Sequence, residues 1–161
     1  MWLYEILQGG KVLEEFLRPG AVLYEDNVEG WQQAVDEAAQ PLLDAGTIRP
    51  EYVDAIKESI AKPGGTYMDL GSGVALAHAR PEAGVVQTSL SALHVGQPFL
   101  LADDPDHPIT TMFCLAAEDA NKHLSLMQAL ATFLSSEANQ ERLAKVSSSQ
   151  ELESVLTAVE Q

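Results

Sequence analysis

The 161-residue sequence predicts an α/β fold, a mixed, mostly parallel sheet sandwiched between helices. Three observations carry that reading. Segments with apolar residues at helical spacing occupy both the first and the last third of the chain. Short apolar runs bounded by glycine, proline or aspartate fill the middle, as strands buried on both faces do. Helices flanking a block of buried strands pack best as layers around one sheet.

The first helix spans about residues 31–44, where Trp31, Ala34, Val35, Ala38 and Leu42 fall on one face. Pro41 lacks the amide that an interior turn needs, so it bends this helix or marks its last turn. Thr47 and Pro50 introduce a second helix with Tyr52, Val53, Ile56 and Ile60 on one face, stopped by Pro63, Gly64 and Gly65. Residues 73–77, 86–93 and 109–115 read as strands, and 102–108, with three Asp and two Pro, as a loop. A long helix follows from about Asp119 with Leu126, Met127, Leu130, Ala131 and Leu134 as its apolar stripe. Ser148 and Glu151 then form a capping box for a last helix carrying Val155, Leu156 and Val159. Leu13, Phe16 and Leu17 suggest a short helix near the start. The length suits a single domain over residues 1–161, with residues 1–10 set apart as a candidate extra N-terminal element.

Composition narrows the function classes. Nine basic and twenty-four acidic residues give a net charge of −15, which opposes nucleic acid and anionic membrane and favours partners with a basic face. No apolar run approaches the roughly 20 residues of a membrane span, and the N-terminus lacks the basic region of a secretory signal. The expected location is the cytoplasm. A single cysteine, Cys114, allows no internal disulfide, and its apolar neighbours make it a packed core thiol. No cofactor or metal site is expected, since no pair of histidines has close ligand spacing and Cys114 has no partner thiol.

The four histidines are the remaining candidates for chemistry, because imidazole is a nucleophile or base near neutrality. His78 follows the 73–77 strand, at the kind of strand end where α/β proteins place their sites, and Arg80 lies two residues on. A nucleophile beside a guanidinium suits phosphoryl transfer, which depends on positioning and charge stabilisation. His123 falls in the first turn of the helix opening near Asp119, where unpaired amides and the helix dipole attract anions. His107, between Asp106 and Pro108, reads as a surface residue, and His94, at a strand-to-turn junction, as structural.

The segment Gly73-Val74-Ala75-Leu76-Ala77-His78-Ala79-Arg80-Pro81-Glu82-Ala83-Gly84-Val85 resembles the active-site segment of the enzyme IIA proteins of the bacterial phosphotransferase system. The resemblance is to the mannitol/fructose superfamily, above all its ascorbate-type branch. The stretch from Leu115 to Leu124 is similar to that family's helix-opening region with its second histidine. Trp31-Gln32-Gln33-Ala34 and Gly46 to Tyr52 are similar to its N-terminal helices, so the likeness runs from about residue 12 to residue 158. The resemblance implies a phosphocarrier in which His78 accepts phosphate from the phosphocarrier HPr and passes it to a cysteine of an enzyme IIB. That partner feeds the membrane enzyme IIC for uptake of a sugar or sugar acid, ascorbate-like or fructose/mannitol-like. Arg80 and His123 match positions that hold the phosphoryl group. Where family members have proline before the active histidine, this chain has Ala77. The alternative is a regulatory relative that binds a partner according to its phosphorylation state. The oligomeric state stays open between monomer and homodimer.

Overall fold

A computed structural model describes residues 13–157. Five strands form one sheet: β1 (Leu17–Glu25), β2 (Asp69–Gly71), β3 (Val74–Ala77), β4 (Ser89–Leu100) and β5 (Pro108–Ala116), in the order β1-β4-β5-β3-β2. Helices α1 (Trp31–Asp44) and α2 (Pro50–Ala61) cover one face. Helices α3 (Ala120–Leu134), α4 (Glu137–Ala144) and α5 (Ser149–Thr157) cover the other. The α/β sandwich is as expected, and the sheet is mixed. It is not mostly parallel, however: β1–β4 and β3–β5 pair parallel, whereas β2–β3 and β4–β5 pair antiparallel. The reason is local. Both antiparallel pairs are sequence neighbours joined by short connections, which cannot cross over to a parallel partner.

Period-two alternation divides the strand side chains between two cores. Ala75 and Ala77 of β3, and Met112, Cys114 and Ala116 of β5, face α1 and α2. Val74 and Leu76, with Phe113 and Leu115, face α3, α4 and α5. This explains why the strands read as continuous apolar runs. All four residues of β3 are buried.

The helix boundaries follow their signals. Pro41 lies in the last turn of α1, which ends before Gly46 at a φ of 75°. Pro50 is the first residue of α2, where its missing amide costs nothing. After α2 the chain turns so tightly that a Cβ on Gly65 would lie 2.1 Å from the Ile60 carbonyl oxygen, so only glycine fits. The Glu151 amide donates to Ser148 Oγ at 3.1 Å, half of the expected capping box, while the Glu151 carboxylate accepts from Ser147 instead. Val159 and residues 1–12 lie outside the described residues.

Some expectations are corrected. Residues 13–16 are helical, but Leu17 opens β1, a parallel edge strand whose register shifts between Leu17 and Val22. The strand expected at 86–93 is β4, starting at Ser89 and running on to Leu100 across a register shift between His94 and Phe99. The 102–108 loop carries a 3-10 turn at Leu101–Asp103, and Pro108 already belongs to β5.

Candidate active site

β3 and β5 are parallel neighbours paired from Val74↔Thr111 to Ala77↔Cys114, so their C-terminal ends leave the sheet side by side. β3 runs into His78. β5 runs through Ala117 and Glu118 into α3, whose N-cap is Asp119. The Asp119 carboxylate accepts from the Lys122 amide at 2.8 Å, which fixes the first helical turn. His123 stands in that turn, its amide bonded to the Asp119 carbonyl at 3.0 Å. The two rings, 45 residues apart in sequence, lie 5.5 Å apart between centroids at an interplanar angle of 50°. This juxtaposition of His78 and His123 is the centre of the site.

His78 is half-buried, and its Nδ1 lies 2.9 Å from the Leu76 carbonyl oxygen. A carbonyl only accepts, so Nδ1 carries the hydrogen and Nε2 of the neutral ring holds the free lone pair. Burial lowers the His78 pKa below the usual imidazole range. The Leu76 bond works against that shift and the neighbouring His123 adds to it. The ring is therefore neutral, and a nucleophile, across the neutral pH range. The Tyr67 ring stands perpendicular to it in a T-shaped contact, 5.8 Å between centroids, and Tyr67 is itself well exposed.

Arg80 is exposed, at the N-cap of the 3-10 turn Pro81–Ala83, and is in no ion pair among the described residues. It follows His78 by two residues, on the loop that leaves the end of β3. The loop after it is docked on the start of α2. The Arg49 amide donates to the Gly84 carbonyl at 2.9 Å, and Gly84 has a φ of 148°. A Cβ there would come within 3.0 Å of the Tyr52 amide nitrogen.

Two further groups fix the strand ends. Tyr52, fully buried on α2, reaches the site with its hydroxyl. That oxygen accepts from the Ala79 amide at 3.0 Å and lies 2.7 Å from the Leu115 carbonyl and 3.2 Å from the Ala79 carbonyl. Its one hydrogen goes to the nearer acceptor, Leu115. Burial raises the phenol pKa far beyond neutrality, so that hydrogen is always present. Beside it, Glu118 Oε1 accepts from both the amide and the hydroxyl of Thr88, and the Glu118 amide donates to Thr88 Oγ1. Sequence periodicity places Tyr52 on the core face of its helix. That assignment holds, but it says nothing of the hydroxyl.

The other histidines are elsewhere. His94 is buried in β4 with Nδ1 2.7 Å from Thr111 Oγ1, its ring stacked on Tyr24. His107 is half-exposed and paired with Asp69 at 2.7 Å, which raises its pKa. Cys114 is buried, its pKa pushed up to about 12, and is inert as a nucleophile. No group of three or more potential ligands suited to a metal occurs among the described residues. Nor is any described helix long and apolar enough to cross a membrane.

The geometry thus sets a half-buried imidazole at a strand end with a second imidazole beside it. The family model for the phosphoenolpyruvate-dependent sugar phosphotransferase system, EIIA 2, matches residues 15–159. The chain belongs to this family. A mannitol-specific cryptic phosphotransferase enzyme IIA component of Escherichia coli is 32% identical over 90% of this chain and 97% of its own length. The ascorbate-specific EIIA component of the same organism is 29% identical over 88% of this chain and 92% of its own. The solution structure of the cryptic mannitol-type protein superposes with a TM-score of 0.83, covering 91% of this chain and 98% of that one. The E. coli enzyme IIA of the mannitol system, in its complex with phosphorylated enzyme IIB, shares the fold at 21% identity, with a TM-score of 0.72 over 89% of this chain and 99% of that one. As an enzyme IIA the protein has a phosphocarrier role in a sugar phosphotransferase system, and its five-stranded sandwich is the enzyme IIA architecture.

Proposed function

We propose that this enzyme IIA carries the phosphoryl group on Nε2 of His78, receiving it in the cytoplasm from HPr and passing it to a cysteine of an enzyme IIB. The observation that supports this most is the paired arrangement of His78 and His123 at the exits of β3 and β5, 5.5 Å apart. The Leu76 carbonyl holds the Nδ1 hydrogen, so the lone pair on Nε2 attacks the phosphorus of the donor phosphohistidine. As the new N–P bond forms, the donor's N–P bond breaks and its electron pair returns to the donor ring. His123 and Arg80 share the charge of the transferring group. On discharge the acceptor thiolate takes the phosphoryl group and the His78 lone pair is restored. The cognate enzyme IIB delivers it to the membrane enzyme IIC and a carbohydrate of the mannitol or ascorbate type, as named for the relatives above.

The test uses phosphoenolpyruvate, enzyme I and HPr with the protein in excess, read by intact mass. The expected result is one acid-labile phosphoryl group, absent in His78→Ala and acquired more slowly in His123→Ala. Wild-type protein without a mass gain, in the presence of phosphorylated HPr, would overturn the reading.

A further inference from the structure

The β3–β5 ladder ends in a way that its own register makes specific. The Thr111 amide donates to the Gly73 carbonyl, with Val74 paired to Thr111. In a parallel ladder the bonding residues of one strand follow in steps of two. Along β3 these are 73, 75, 77 and then 79. The next rung beyond Ala77 would therefore join the Ala79 amide to the Leu115 carbonyl. Those are the two groups that the Tyr52 hydroxyl holds, accepting from the first at 3.0 Å and donating to the second at 2.7 Å. The phenol oxygen is a one-atom spacer inserted where the rung would be.

We infer that Tyr52 is the positioning residue of the phosphoryl-transfer site, a side-chain rung that parts β3 from β5 by one oxygen while keeping both exits in fixed register. The inference rests on His78 as phosphoacceptor and adds to it the device that sets the distance between the two imidazoles. Both histidines leave from the clamped points, His78 one residue before Ala79 and His123 on the helix that follows Leu115. With a direct rung, Ala79 would continue the strand. With the spacer, the chain turns at His78, and its ring folds back onto the Leu76 carbonyl two residues earlier. The same oxygen thus fixes the His78 tautomer at second hand. Neither partner amide nor carbonyl has water as a ready substitute, because the hydroxyl between them is fully buried.

The experiment compares Tyr52→Phe, which keeps the ring and loses the oxygen, with Ile56→Val, a buried neighbour on the same helix that leaves the hydroxyl alone. Both are read for phosphoryl uptake from HPr under varied donor concentration, and for the imidazole nitrogen shifts of His78 by NMR. Loss of position in a transfer site costs on the order of tenfold to a hundredfold in rate. The expected result is a loss of that size in kcat for Tyr52→Phe with KM little changed, a mixed His78 tautomer, and near wild-type behaviour of Ile56→Val. Equal slowing in both variants would reduce Tyr52 to a packing residue and overturn the inference. So would a wild-type rate and tautomer in Tyr52→Phe. Hydrogen exchange of the Ala79 amide in the wild type needs no variant: strong protection supports the rung, and rapid exchange refutes it. If wild-type protein takes up no phosphate, the carrier reading fails, while the exchange and tautomer measurements still decide the clamp.

Discussion

His78 and His94 look alike by the usual markers of an active imidazole. His94 sits on a strand of the sheet and His78 directly after one, both bond through Nδ1, and burial lowers the pKa of both. They differ in what is left over. His94 is 2% exposed, anchored on the Thr111 hydroxyl and stacked on Tyr24. His78 is half-exposed, tied among the described residues only through Nδ1, and faces a second imidazole. A depressed pKa reports burial, and burial serves a core as readily as a site. The exposure left to His78 and the second imidazole beside it separate the two.

Substituting each histidine with glutamine should separate them completely. His78→Gln is expected to abolish phosphoryl uptake while changing unfolding free energy by less than about 1 kcal/mol, as for a partly exposed position. His94→Gln should do the reverse, keeping uptake in the folded protein and losing about 2 kcal/mol through the disturbed Thr111 bond and core packing. Urea midpoints and intact mass on both variants decide it. Uptake lost in both would mean that His94 supports the site through the sheet.

Acid sharpens the comparison with an effect of similar size. The His94 pKa is held at about 4 when folded, and the unfolded chain titrates at about 6.5. A folded pKa below the unfolded one leaves stability intact above about pH 6.5 and removes it as pH falls toward 4, because the unfolded chain then binds the extra proton. The wild type should therefore lose about 3 kcal/mol more than His94→Gln between pH 7 and pH 4. The cost of the substitution at neutral pH should then be cancelled in acid, leaving His94→Gln at least as stable as the wild type. Parallel pH profiles for the two proteins would show that His94 protonates freely in the folded state.

Much of this fold is legible in the sequence where one physical signal dominates. Pro50 and the apolar spacing of Tyr52, Val53, Ile56 and Ile60 announce α2, and the unbroken apolarity of 73–77 and 109–115 announces strands covered on both sides. β1 is hidden because Pro19 and Gly20 interrupt its pattern, and an edge strand tolerates both. The far half of β4 is hidden because Gly96, Gln97 and Pro98 read as a turn but continue the strand past a register shift. β2, at three residues, carries no periodic signal. α4 had one in Ser136, which caps it by accepting from the Asn139 amide. In the site, the strand-end position of His78 and the first-turn position of His123 are readable. Their meeting is not, because it depends on the parallel pairing of β3 with β5. Nor is the clamp readable, since helical periodicity assigns Tyr52 to the core without distinguishing its hydroxyl from a phenylalanine's edge.

The smallest test acts on His123 without touching either ring. Asp119 caps α3 through the Lys122 amide, and Ser136 caps α4 through the Asn139 amide. Removing either cap should cost about 1 kcal/mol. Only the first loosens the turn that carries His123 beside His78. Asp119→Ala is thus expected to slow phosphoryl uptake by a few-fold, less than His123→Ala, and Ser136→Ala to leave it unchanged at equal loss of stability. Removal of the Asp119 charge works in the opposite direction, because a carboxylate at this helix end competes with the incoming phosphate for the positive end of the dipole. Faster uptake in Asp119→Ala would show that competition outweighs order in the first turn of α3. The position of His123 would then matter less than the field around it.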